Sequence, residues 1–142
     1  KITSKSRPLD DPITWVLEDP RKLSRKIEDQ LHLRILDVPN ALVSRKYNVD
    51  GKITILVEDN ILDSNNAKFI LKKSGNIVKC EKTNLPHDFK IDIRELGSLY
   101  LGGTSWLNLW KSKLIETNSL EKLHLADQMF NTIAAPWCAD YF

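Results

Sequence analysis

Between Lys52 and Asp92 the hydrophobic period of the chain is two, and this limits the possible folds more than any other feature. Ile53, Ile55 and Val57 alternate with Lys52, Thr54 and Glu58, and Phe89, Ile91 and Ile93 alternate with Asp88, Lys90 and Asp92. Successive side chains of a strand point to opposite faces, so such runs predict strands with one buried face. Residues 68–73 and 77–82 flank Ser74, Gly75 and Asn76. These residue types accept the positive backbone dihedrals of a tight hairpin, so the two runs are expected to pair antiparallel. Leu31, Leu33 and Ile35 alternate with His32 and Arg34. That pattern predicts a further strand, ended by Pro39 and followed by a short helix over residues 41–47.

Beyond Ile93 the period lengthens. Residues 94–101 read as a helix stopped by Gly102 and Gly103, and residues 105–110 as another short one. Asn118 with Glu121 three residues on resembles a capping box, opening a helix whose Leu120, Leu123, Ala126, Phe130 and Ile133 share one face. Near the start, Asp11 before Pro12 and Asp19 before Pro20 put a capping carboxylate ahead of a proline preset for the first helical position. Short helices near 12–18 and 20–27 follow from this. Strands followed by clustered helices predict an α+β fold, a mostly antiparallel sheet of about five strands with helices packed on one face.

Composition removes several functions. With 42% hydrophobic and 28% charged residues the chain is ordinary globular material, long enough at 142 residues for a real core. Its 21 basic and 19 acidic residues are interspersed, so no field exists to attract a nucleic-acid backbone. No apolar run approaches the ~20 residues that span a bilayer, and no signal-peptide core follows residues 1–6. Cys80 and Cys138 are too few for a disulfide framework or a zinc site, so reduced thiols and a cytoplasmic setting are expected. Met129 is the only methionine and the chain starts at Lys1, so an N-terminal portion is expected to have been removed by processing or by design.

No complete catalytic set emerges. His32, His124 and Cys138 are a base and nucleophile only if the fold unites them. The pairs Asp88 with Asp92 and Asp10 with Asp11 have simpler readings, Asp88 and Asp92 on the solvent side of a strand and Asp11 as a helix cap. Gly97, Gly102 and Gly103 lack the preceding strand and following Lys of a phosphate loop. Trp106, Trp110, Phe130 and Trp137 make the C-terminal third aromatic, either as core or as the lining of an apolar pocket. Residues 136–142 are too apolar for a frayed end and are expected to be docked.

Read in order, the segments LRILDVP (33–39), RKY (45–47), CEKT (80–83), LGSLYLGG (96–103) and APWCADYF (135–142) resemble the C-terminal domain of the enhanced intracellular survival (Eis) type GNAT N-acetyltransferases. That domain is similar to sterol carrier proteins. The likeness runs from about Pro8 to Phe142. It implies that residues 1–28 are a leading segment linking to a missing acetyltransferase part, and that residues 29–142 are the sterol-carrier-protein-like domain. It implies partners too: N-terminal acetyltransferase lobes of the same chain that bind acetyl-CoA, an amine substrate such as an aminoglycoside or a lysine, and assembly into a homo-oligomer. The C-terminal carboxylate, which maps onto Phe142, would act as base or amine anchor. This fragment would bind no cofactor or metal itself and would be inactive alone. Ala139, where proline is frequent in the family, and His32, at a place often taken by a larger or basic residue, depart from the pattern without touching the fold. The carrier likeness also leaves open a stand-alone lipid or sterol binding module with an apolar tunnel.

Overall fold

The alternating run around Ile55 becomes the centre of a five-stranded sheet in a computed structural model that describes residues 3–28 and 31–138. The strands are β1 (Gly51–Glu58), β2 (Ala67–Ser74), β3 (Ile77–Lys82), β4 (Phe89–Asp92) and β5 (Ile115–Thr117), in the spatial order β3-β2-β1-β4-β5. The pairs β1–β2, β2–β3 and β4–β5 are antiparallel, and β1–β4 is parallel. The expected hairpin is present, turning at Gly75 with φ +56°. Lys82 lies opposite Phe69, and Phe89 lies opposite Ile55, so residues 83–88 cross two strands to reach the free edge of β1. Helices occupy one face of the sheet, and the crossing therefore runs over the other, where Thr54 and Ile70 are buried.

The described residues hold five helices, α1 (Ile13–Val16) in the leading segment and, with the sheet, α2 (Val38–Ser44), α3 (Ile93–Tyr100), α4 (Trp106–Lys111) and α5 (Leu120–Phe130). The inner positions of the strands, Ile53, Ile55, Val57, Phe69, Leu71, Phe89, Ile91 and Ile115, are buried against Leu42, Leu96, Leu99, Trp106, Leu123 and Met129 of the helices. Period two on the sheet and period three to four on the helices thus meet in one core. Gly102 ends α3 with φ +80°.

Four expectations need correction. Residues 31–35 form no strand. Leu31 and Leu33 are 67% and 43% exposed, and one backbone group of the run is taken by a side chain, Asn65 Nδ2 donating to Ile35 O (3.3 Å), while Val38 N at the start of α2 donates to Asn65 Oδ1 (3.2 Å). The fifth strand is instead β5, too short to show a period. The helix expected over 41–47 begins three residues earlier, because Asp37 accepts from Asn40 N (2.9 Å) and Pro39 sits in the first turn rather than ending a strand. The helix cap lies at Ser119, not Asn118, and Ile133 is beyond the helix and fully exposed.

The chain divides into two compact units, Leu33–Thr132 and a second made of residues 1–32 with 133–142. In the second, Asp11 Oδ1 accepts from Ile13 N (2.8 Å) to open α1, and Asp19 opens a single 3-10 turn at Pro20–Lys22. The second predicted helix is therefore one turn only. Leu23 and Ile27 have the spacing of a helical face, but Ile27 is 70% exposed and no core holds further turns.

Candidate functional site

The tail and the leading segment meet within the smaller unit. Ala135 N donates to Asp10 Oδ2 (2.9 Å), and Trp137 Nε1 donates to Ser6 O (3.2 Å). Asp10 therefore has a task that its neighbour does not share: Asp11 accepts from Ile13 N just ahead of α1, whose N-cap position is Pro12 rather than the expected aspartate, and it pairs with Arg7; the backbone bond first, and then the cation, hold its carboxyl below the ordinary value against the upward push of burial. Arg25 braces the same segment through Leu9 O and Thr14 Oγ1. Trp137 keeps 53% of its surface exposed, so its indole is tied by its polar edge while the ring faces outward. Among the described residues the tail is tied by hydrogen bonds at Ala135 and Trp137, and the rest of the segment expected to dock, residues 139–142, lies outside them. Phe142, the residue expected to carry the functional carboxylate, lies outside the described residues.

The other aromatic candidates divide. Trp106 is fully buried, 4.6 Å from the Phe89 ring and 5.3 Å from Phe130, which it meets edge-on at 85°. Trp110, one turn on, is 36% exposed. Trp106 Nε1 has no acceptor, a cost of about 1–3 kcal/mol that the surrounding ring packing outweighs. Two surface hollows lie elsewhere. One, of about 400 Å³, is bordered by Leu56, Lys68, Lys82 and Thr83, and the other, of about 290 Å³, by Glu58, Lys90, Arg94 and Glu116.

The remaining candidates serve the fold. Asp88 Oδ2 accepts from Thr54 N (2.7 Å), and Asp92 caps α3 by accepting from Arg94 N (2.9 Å). His32 and His124 are exposed. Cys80 is half-buried, and burial first, then Asp37 and Glu81, push its thiol up to about 12, so it is no nucleophile at neutral pH. Among the described residues no cluster of three or more His, Cys, Asp or Glu could hold a metal, and no helix is long and apolar enough to cross a membrane.

Sequence reading passed over one buried polar network. Asp59 is 2% exposed; its Oδ1 accepts from Arg34 Nη2 (2.6 Å), Ile61 N (2.9 Å) and Leu62 N (3.1 Å), and its Oδ2 from Asn65 Nδ2 (3.1 Å). Burial pushes this carboxyl up, but the four donors together outweigh it and hold the group at about 2. Its only trace in the sequence is the polar, turn-rich stretch after β1.

The comparisons with known proteins agree with this architecture. The family described as Sterol carrier protein domain matches residues 38–139. An uncharacterized N-acetyltransferase of Streptomyces griseus is 34% identical over 143 residues, covering 99% of this chain and 34% of the relative. N-acetyltransferase Eis of Mycobacterium tuberculosis is 32% identical over 123 residues, covering 84% of this chain and 29% of its own. The crystal structure of Eis1 from Mycobacterium abscessus superposes with a TM-score of 0.82 at 34% identity, across 96% of this chain and 34% of that one. The chain thus spans about a third of the length of the curated relatives it matches. It belongs to the sterol carrier protein domain family and is homologous to the C-terminal region of Eis-type GNAT N-acetyltransferases.

Proposed function

We propose that this domain is the C-terminal accessory part of an acetyl-CoA-dependent N-acetyltransferase acting on amines, aminoglycosides or lysines, and that it delivers the carboxylate of Phe142 to the amine. The full-length protein is then a cytoplasmic homo-oligomer in which the acetyltransferase lobes lie outside this chain. The observation that carries the reading is the pair of hydrogen bonds tying Ala135 and Trp137 to Asp10 and Ser6, because the segment that leads in from the lobes also grips the tail. From Trp137 onward five residues remain, a reach of at most roughly 17 Å. Released at Thr132, ten residues would sweep about eight times that volume. The grip raises the effective concentration of the chain end accordingly.

Acetyl-CoA itself does not fit this domain. A pyrophosphate seeks the N-terminus of a helix, and the two longest helices here already carry carboxylates there, Asp92 with Glu95 on α3 and Glu121 on α5. The cofactor is therefore assigned to the lobes.

What this chain supplies is a negative charge. An ordinary α-carboxyl titrates near ~3.5 and an alkylammonium near ~10.4, so the group is a poor base unless its surroundings raise it. As an anion it attracts and orients a cationic amine, which brings the acceptor nitrogen into line before its proton is lost. Appending one glycine to Phe142 of the full-length protein is expected to lower turnover with a polyamine aminoglycoside by about 100-fold. Steady-state kinetics unchanged by the extension would exclude this role.

A further inference from the structure

β3 closes one edge of the sheet, within the larger unit. Thr83 N donates to Lys68 O (3.0 Å), which makes this opposed pair a hydrogen-bonded one. Bonded and unbonded pairs alternate along an antiparallel ladder, so Ile77, Lys79 and Glu81 also turn their backbone groups to β2, and Val78, Cys80 and Lys82 turn theirs to the free edge. Among the described residues no hydrogen bond reaches those outward groups. α2 packs on the inner face of β3, where Val78 and Cys80 border the core. Edges are commonly blocked by shortness, by proline or by a bulge. The opposite edge, β5, has three residues, whereas β3 has six, with no proline and an unbroken register.

On the outer face the charges of one chain are unbalanced. Lys79 lies opposite Lys72, and Lys72 lies opposite Lys52, so three exposed like charges stand in one row across three strands. Directly opposed like charges destabilise a sheet. Glu81, also exposed, reaches Lys72 only at 4.0 Å, and among the described residues Lys79 forms no ion pair.

A second copy of the same edge resolves this imbalance. With the two strands set antiparallel about a two-fold axis at Cys80, Lys79 lies opposite Glu81 of the other copy, and Ile77, which is 63% exposed, lies opposite Thr83. Each lysine row then ends on a carboxylate. The outward groups of Val78, Cys80 and Lys82 meet those of Lys82, Cys80 and Val78 as hydrogen-bonded pairs. Charge also selects this register, because the nearest slips that keep the outward groups facing one another set Lys79 on Lys79, or Glu81 on Glu81. We infer that β3 pairs with β3 of a second copy of this chain, joining two sheets into one. The inference gives the homo-oligomer proposed above a surface and rests on that part of the reading alone, not on the role of Phe142.

Sedimentation equilibrium of the 142-residue chain is expected to show a monomer–dimer equilibrium within concentrations up to about 0.5 mM. Lys79→Glu and Glu81→Lys each put like charges opposite one another on both sides of the axis, and each is expected to weaken the dimer about tenfold with the thermal melt of the monomer unchanged. The double variant restores both pairs with their signs exchanged and is expected to recover to within about twofold of the native dimer. A native chain that stays monomeric, a dimer indifferent to the single changes, or a double variant as weak as the singles would overturn the pairing. The full-length protein separates this from the wider reading. Assembly that persists there unaltered by Lys79→Glu removes β3 as the surface and leaves the oligomer standing, whereas a monomeric full-length protein removes both.

Discussion

Asp59 concentrates more structural consequence than any other polar residue of the larger unit. Its carboxylate takes Arg34 and three further donors, and Asn65 passes the connection on to Ile35 and Val38. Asp59→Asn keeps the shape but turns one acceptor oxygen into a donor facing N–H groups, and it leaves the Arg34 cation unpaired. A loss of about 2–4 kcal/mol is expected in urea unfolding at neutral pH. The pH dependence is as specific. The folded carboxyl sits at about 2 against an ordinary 3.8, so between those values the unfolded chain binds more protons. The stabilisation is complete above pH 3.8 and is lost as pH falls toward 2. Urea midpoints measured across this range should show a slope in the native protein that Asp59→Asn reduces, leaving the part owed to Asp11, Glu28 and Asp50, whose carboxyls are also held below their ordinary values.

Among the elements, α5 decides between two readings of one sequence stretch. Asn118 with Glu121 has the spacing of a capping box, but Ser119 is the residue with extended dihedrals, and its Oγ accepts from Lys122 N (3.2 Å). Ser119→Ala is expected to destabilise the domain by about 1 kcal/mol, whereas Asn118→Ala should stay within a few tenths, both read from thermal or urea melts. Tertiary packing sets the buried face of the helix, which is Leu123, Ala126, Met129 and Phe130. Leu120 and Ile133, which the periodicity assigned to the same face, are left 58% and 102% exposed.

At the scale of the whole molecule the two units differ in kind. Every residue of the hydrophobic core cluster, from Ile35 to Phe130, belongs to Leu33–Thr132. The smaller unit is held by hydrogen bonds and surface pairs, and Trp15 and Val16 remain 86% and 79% exposed. A chain cut to residues 33–132 is therefore expected to unfold cooperatively, with a Tm within a few degrees of the 142-residue chain. A broad, early transition would show that the smaller unit is needed for the core. The same division explains which part of the candidate site was legible. The docked tail could be anticipated from its apolar composition, but its partners Asp10 and Ser6 lie more than 120 residues away, and no local pattern links positions so distant.

Residue order alone determined the strands β1 to β4, the hairpin at Gly75, the run of β4 straight into α3, and the glycine stop that follows. Each is a matter of side-chain period or of a dihedral that few residues accept, and both are local properties. The tertiary structure alone decided that 31–37 would remain outside the sheet, that β5 would complete it, and that β4 would run parallel to β1. These depend on which edge was free and which side chain reached a backbone group first. Asn65 satisfying Ile35 and Val38, and Arg45 gathering the ends of two helices, are outcomes of three-dimensional competition for hydrogen bonds, and a one-dimensional pattern carries no record of that competition.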